Sequence, residues 1–284
     1  MTSEKKSVAL EQGAVKQCCA QLYESDLARL LLGDSFHPGG LTLTERLGQI
    51  LQLTSESRVL DAASGTGATA IFLAEHFGCE VLGIDYSAQN VQQANEQAQA
   101  KGVGTRVHFQ HGDAESLPVP EASFDAVICE CAFCTFPDKS VAAREFARVL
   151  RPGGRVGISD LTRGPVLPKE LDGLLAWIAC IADAQPIDSY AVQLSSAGLV
   201  VQQVEPHDEA LTDLVRSIRK KLLGAEIMVG LKKLDLPGID FTSAKQMATS
   251  ALTAIQQGLL GYAFLCAVKS ESAMGANGTS RGTV

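Results

Sequence analysis

The chain lacks an excess of positive charge. Among its 284 residues, 24 Lys and Arg stand against 32 Asp and Glu, for a formal net charge of -8. A general nucleic-acid binder needs a basic surface, so that class is set aside. No uninterrupted apolar run approaches the length of a bilayer span. The opening Met1-Thr-Ser-Glu-Lys-Lys6 leads into polar sequence, not the apolar stretch of a secretory signal. These absences predict a soluble, cytoplasmic protein. There is no internal repeat, and 46% apolar with 20% charged residues is an ordinary globular composition. Without an export signal, the eight cysteines are expected as reduced thiols. Cys79 and Cys266, at and inside predicted strands, read as small buried hydrophobes.

The middle of the chain alternates strand and helix patterns. Strands are predicted at 58–61, 80–85, 106–110, 124–129 and 155–159. Helices are predicted at 68–77, at 88–101 behind a Ser87 cap, and at 139–150. Such alternation calls for right-handed crossovers and a doubly wound, mostly parallel sheet, an α/β fold. Residues 1–53 form a helical N-terminal segment, broken at His37-Pro-Gly-Gly40. Residues 54–205 form the core, with helical sequence at 166–184. Residues 206–269 hold further helices and a closing strand at 261–269. The Gly/Ser/Thr-rich tail 270–284 is expected to be disordered.

The run Asp61-x-x-x-Gly65-x-Gly67 follows a strand and opens a helix. Glycines there let a ligand approach the backbone at the carboxyl ends of the strands. The third glycine of a dinucleotide fingerprint is replaced by Ala70. Asp61, beside the loop, repels a pyrophosphate and suits a cationic amino group. Asp85 closes the second strand, where a carboxylate accepts from ribose hydroxyls, and Asp113 follows the third, where one accepts from an exocyclic amine. The three acids together fit S-adenosylmethionine, which carries no phosphate, better than NAD.

The runs Val59-Leu-Asp-Ala-Ala-Ser-Gly-Thr-Gly67, Gly83-Ile-Asp85, Gly112-Asp-Ala-Glu115, Ser123-Phe-Asp125 and Leu150-Arg-Pro-Gly-Gly154 resemble those of class I S-adenosylmethionine-dependent methyltransferases. The resemblance spans roughly residues 45–205. It implies a Rossmann-like seven-stranded sheet with a reversed last strand, the segment 261–269 serving in the terminal pair. It assigns Asp61, Ala62, Gly65 and Gly67 to the methionine part of the cofactor. Asp85 falls to the ribose, Asp113 and Ala114 to adenine, Tyr86 to stacking, and Cys129 to the cofactor side of the fourth strand. The helical additions at 10–53 and 166–184 become a lid.

For O- or N-methylation a general base is expected near the fourth strand, and no histidine lies there in sequence. His37 and His111 are the two whose loops are able to face the site. The fourth strand runs instead into Cys129-Glu-Cys131-Ala-Phe-Cys134. A zinc site needs two separated pairs of ligands, and the adjacent Cys18 and Cys19 are poor chelators. The run Ile128-Cys-Glu-Cys-Ala-Phe-Cys-Thr-Phe-Pro-Asp-Lys139 is similar to the arsenite methyltransferase family, Cys131 falling on its first metalloid-binding cysteine. Cys180, three residues after Trp177, falls on the second. Cys134, Cys129 or Cys18-Cys19 would supply a third thiolate. Other marks of that family are absent: a cysteine after the glycine loop, Cys-Gly-Gly-Ala at the second anchor, and a C-terminal cysteine pair. The resemblance implies soft thiolates holding trivalent arsenic, whose lone pair takes the methyl without a base, and a thiol reductant as partner. Two other readings stay open: a C-methyltransferase for a quinone or sterol-like acceptor, and a non-catalytic thiol protein that binds a soft metal.

Overall fold

A computed structural model describes residues 37–271 apart from 165, 169–170, 172–180, 182, 234–235 and 237–239. The elements in order are α1 (Gly40–Ile50), β1 (Arg58–Ala62), α2 (Ala68–Phe77), β2 (Glu80–Asp85), α3 (Ala88–Ala100), β3 (Val107–His111) and β4 (Phe124–Glu130). A 3-10 turn (Phe133–Thr135) comes next, then α4 (Lys139–Val149), β5 (Leu150–Arg163), α5 (Ile187–Ser196), β6 (Leu199–Pro206), α6 (Asp208–Gly230), α7 (Phe241–Gln256) and β7 (Leu260–Lys269).

Seven strands form one sheet in the order β3-β2-β1-β4-β5-β7-β6. The first five are parallel, and β7 is antiparallel to both neighbours. The expected Rossmann-like sheet with a reversed last strand is therefore present. Strand order reverses between β1 and β4. Right-handed crossovers then put α2 and α3 on one face and α4 on the other, which opens a crevice at the carboxyl ends of β1 and β4.

Local chemistry sets the element ends. Ser87 Oγ accepts from Asn90 N at 3.0 Å and starts α3. Asp138 Oδ1 accepts from the amides of Ser140 and Val141 and starts α4. Of the Pro-Asp-Lys run, Asp138 is thus the helix cap. Lys139 is buried, with Nζ donating to Phe136 O at 3.0 Å and Asp183 Oδ2 at 2.6 Å. Asp125 Oδ2 accepts from Arg58 N at 2.8 Å, and Oδ1 pairs with Arg151 at 2.6 Å. The Ser-Phe-Asp and Leu-Arg-Pro-Gly-Gly runs therefore lock the amino ends of β1, β4 and β5 together, at the far edge of the sheet from the crevice.

Two expectations change. The fifth strand, expected at 155–159, runs from Leu150 to Arg163: Leu150 already pairs with Phe124, and the chain bulges out through Gly153 (φ 75) before the ladder to β4 resumes at Arg155. A strand at Leu199–Pro206 was not foreseen; its burial alternates residue by residue along an edge of the sheet. The closing strand expected at 261–269 is β7, one of the terminal pair. The expected helix across 10–36, most of 166–184 and the tail from 272 lie outside the described residues.

The core is continuous around the sheet. Leu47 of α1 and Leu51 just past its end cover β5 where Gly157 leaves room: a Cβ there would meet Leu47 at 2.8 Å. Arg46 donates twice to Glu205, at 3.1 and 2.8 Å, and ties α1 to the end of β6. Cys79 and Cys266 are buried, as expected, and burial pushes their thiols up to about 11 and about 12. Among the described residues no helix is long and apolar enough to cross a membrane.

Candidate active site

The glycine loop leaves β1 through a tight left-handed path: Ala63 (φ 59), Gly65 (φ 54) and Gly67 (φ 89). The loop is fastened to β2, with Ser64 N donating to Ile84 O at 3.1 Å and Gly65 N to Asp85 Oδ2 at 2.8 Å. Its glycines do different work. A Cβ at Gly67 would meet the Phe109 ring at 2.5 Å, and one at Gly83 would run into the same ring and meet Ser64 Oγ at 2.7 Å. At Gly65 a Cβ would meet nothing within 4 Å. Gly67 and Gly83 are small for packing, whereas Gly65 opens onto the crevice.

Asp61 is 2% exposed, and its Oδ2 is buried with no hydrogen-bond partner. Burial, then the carboxylates of Glu130 and Asp85, push its pKa well above the usual carboxylate range, against one bond from the Ala70 amide. Among the described residues, no Lys or Arg forms an ion pair with Asp61 or Glu130. An orphaned acceptor oxygen among mutually repelling carboxylates fits a ligand with an ammonium and a sulfonium, as in S-adenosylmethionine, and disfavours a pyrophosphate.

Asp85 is held by Ser87 N at 2.8 Å and Asn90 Nδ2 at 3.3 Å, besides its bond to the loop. Asp113 Oδ1 accepts from Glu115 N at 2.9 Å and is fixed in a short turn, with Ala114 buried behind it. Tyr86 is partly open to solvent, and its ring lies 6.1 Å from that of His111. His111 thus joins Tyr86 at the β2–β3 end of the crevice.

The three thiols at the end of β4 and just beyond it diverge. Cys129 is wholly buried, and burial with the charges of Asp160, Asp61 and Glu130 pushes its thiol well up. Cys134 is wholly buried too; its amide donates to Asp160 Oδ2 at 2.8 Å, and its thiol bonds the same carboxyl. Cys131 alone is partly exposed. It takes the left-handed conformation (φ 52) as the chain leaves the sheet, and its amide donates to Ser159 O at 2.7 Å. Among the described residues no three His, Cys, Asp or Glu side chains are grouped to hold a metal ion. Cys18, Cys19 and Cys180 lie outside the described residues.

Between Cys129 and Cys131 stands the residue that sequence reasoning passed over. The Glu130 side chain is 4% exposed. Its Oε2 accepts from Thr69 Oγ1 at 2.6 Å and Thr44 Oγ1 at 3.0 Å, and Oε1 from Ser159 Oγ at 3.3 Å. Tyr262 Oη, from β7, donates to Ser159 Oγ at 2.9 Å. His37, buried ahead of α1, brings Nε2 to 3.5 Å from Glu130 Oε2 and 3.4 Å from Thr44 Oγ1. Of the two histidines whose loops were able to face the site, His37 reaches the end of β4, because α1 packs on the sheet through Leu47 and carries the preceding loop there.

Comparison with known proteins agrees with this geometry. A family model described as a methyltransferase domain matches residues 59–154. The chain is 30% identical over 263 residues to 27-O-demethylrifamycin SV methyltransferase of Amycolatopsis mediterranei, across 87% of this chain and 94% of that protein. It belongs to the class I S-adenosylmethionine-dependent methyltransferases. S-adenosylmethionine is accordingly its cofactor. This methyltransferase is also 33% identical over 158 residues to an arsenite methyltransferase of Halobacterium salinarum, across 54% of this chain and 39% of that protein. Its fold is similar to that of a phosphoethanolamine N-methyltransferase of Haemonchus contortus solved with S-adenosylmethionine, with a TM-score of 0.74 at 19% identity, across 90% of this chain and 60% of that one.

Proposed function

We propose that this methyltransferase transfers its methyl group to a hydroxyl oxygen of a small organic acceptor. The carrying observation is the buried Glu130–His37 pair at the carboxyl end of β4, beside the unpartnered oxygen of Asp61. Asp61, Ala62, Gly65 and Gly67 would hold the methionine part of the cofactor, Asp85 the ribose, Asp113 and Ala114 the adenine edge, and Tyr86 a ring face. Cys129 would line that wall by its backbone, its side chain being packed in the core. Bound there, the cofactor supplies an electrophilic methyl on a cationic sulfur.

A hydroxyl acceptor must give up its proton as the new C–O bond forms. His37 Nδ1 lies 3.3 Å from Pro38 O and Nε2 3.5 Å from Glu130 Oε2, so a hydrogen-bond acceptor stands at each ring nitrogen, and an imidazole that takes up the hydroxyl's proton donates to both. The imidazolium is then stabilised by the Glu130 carboxylate, which Thr44, Thr69 and Ser159 hold in place. A positioned base of this kind contributes about a hundredfold to ten-thousandfold in rate. The relative spanning nearly the whole chain is named for a 27-O-demethyl acceptor, in keeping with this chemistry.

A second reading rests on Cys131, the one described thiol of the three that is partly exposed. Trivalent arsenic held by Cys131 and Cys180, with a thiol reductant, needs no base.

The test is to supply the protein with S-adenosylmethionine and, separately, a panel of hydroxylated polycyclic and macrocyclic acceptors, or arsenite with a thiol. Products are then identified by mass. A methyl ether formed by the parent and lost in Glu130→Gln, with cofactor binding kept, supports the hydroxyl reading. Methylated arsenic that survives Glu130→Gln but not Cys131→Ser replaces it with the metalloid reading.

A further inference from the structure

Charge is unevenly spread along this acidic chain. Between Arg216 and Lys233 stand Arg216, Arg219, Lys220, Lys221, Lys232 and Lys233, against Glu226 as the single acid. Glu226 is engaged by Lys245 at 2.6 Å. The same stretch leaves apolar side chains open to solvent. One side of α6 buries Leu211, Val215, Leu222 and Ala225 against the body. The other exposes Leu223, Ile227 (55%) and Met228, and Leu231 at the helix end (60%). With 3.6 residues per turn, Lys220, Leu223, Ile227 and Leu231 fall on one outward line, while Arg216, a turn earlier, pairs with the exposed Asp213 at 3.4 Å. Among the described residues nothing approaches within 4 Å of a Cβ position at Gly224 or Gly230, so the helix surface stands open there.

We propose that α6 seats on an anionic lipid surface. Leu223, Ile227 and Leu231 would enter the boundary between headgroups and acyl chains, while Arg219, Lys220, Lys232 and Lys233 meet the lipid anions. Stable interfacial binding takes two signals, apolar area and a basic patch, and both lie on this one ridge. An open helix surface flanked by cations fits a planar, adaptable surface. A protein partner would need a groove shaped to it. The helix is also joined, at its first turn, to the candidate active site. Asp208, in the first turn of α6, accepts from Tyr262 N at 3.0 Å, and Tyr262 reaches Glu130 through Ser159. Docking would hold the crevice in a fixed orientation toward the bilayer, a route of supply for a lipophilic acceptor.

The test is co-sedimentation of the full chain with vesicles of phosphatidylcholine alone, or with about a quarter phosphatidylglycerol. Binding is expected only to the anionic vesicles and is lost at about 1 M salt. Leu223→Ser/Ile227→Ser/Leu231→Ser and Arg219→Glu/Lys220→Glu should each lower the bound fraction at least tenfold, with melting temperature and cofactor affinity unchanged. Failure to sediment with anionic vesicles, or binding that neither variant weakens, overturns the proposal. So does a solution dimer dissociated by the apolar variant, which would assign the ridge to a second copy of the chain.

Discussion

Thr44 Oγ1 donates to Glu130 Oε2 at 3.0 Å across 86 positions of sequence. That bond fastens the start of α1 to the end of β4 and, with Thr69, fixes the carboxylate against which His37 rests. Because Thr44 and His37 are both buried, the loop ahead of α1 is part of the site floor.

Glu130→Gln keeps the shape and removes the charge. Methyl transfer to a hydroxyl acceptor is expected to fall about a hundredfold or more, with cofactor affinity changed far less. His37→Asn should match it, and the double variant should be no worse than either single one, since the two act as a unit. Initial rates and cofactor titration check this. Full activity in either single variant contradicts the assignment.

Gly65→Ala and Gly83→Ala separate ligand contact from packing. At Gly65 the new methyl meets open space, and only left-handed backbone strain of about 1–2 kcal/mol is added. Cofactor affinity should suffer there while the fold survives. At Gly83 the methyl strikes Phe109 and Ser64, and destabilisation of about 1–3 kcal/mol or more is expected. Thermal melts with and without cofactor distinguish the two.

Asp160 supplies a pH signature. Burial raises its carboxyl from 3.8 to about 6, so the native state holds that proton more tightly than the unfolded chain does. The associated stability is complete below about 4 and is lost as pH rises through about 6. Relative to Asp160→Asn, the parent should lose on the order of 3 kcal/mol between those limits and neutrality. A stability gap that stays constant across that range would rule this out.

Thiol reactivity should follow burial. Native protein treated briefly with an alkylating reagent is expected to label Cys131 ahead of Cys79, Cys129, Cys134 and Cys266, which become reactive only on unfolding. Peptide mapping reads the order. Equal labelling of Cys134 and Cys131 would mean that the segment after β4 opens readily.

Asp125→Ala tests whether the Ser-Phe-Asp run is structural. Its pair with Arg151 is well exposed and contributes at most about 1 kcal/mol. Loss of the acceptor for Arg58 N adds about 1 kcal/mol. A lower melting temperature with unchanged cofactor affinity is expected.

Much of the fold was legible because local chemistry decides it. Ser87 caps α3 where a cap residue precedes the pattern, and α2 and β2 end where a glycine and an aspartate close them. The β6 strand was not legible: its alternating apolar and polar residues form an edge that only β7, far along the chain, completes. In the site, Asp61, Gly65 and Asp85 were readable because their neighbours in sequence are their neighbours in space. Glu130 was hidden between two cysteines that drew the chemical interest, and its partners Thr44, Thr69, Ser159 and His37 come from three other elements and a loop. No spacing rule links them.

The position of β7 between β5 and β6 bears on how the chain matures. Chain growth from the amino end completes the first five parallel strands, and with them the cofactor loop, well before residues 260–269 exist. Until then β5 presents a bare edge open to mispairing, β6 has nowhere to dock, and Ser159 waits for Tyr262. A nascent chain stalled or clipped ahead of β7 would therefore hold a formed cofactor half beside an unfinished acceptor half, with an adhesive strand exposed as a handle for chaperones.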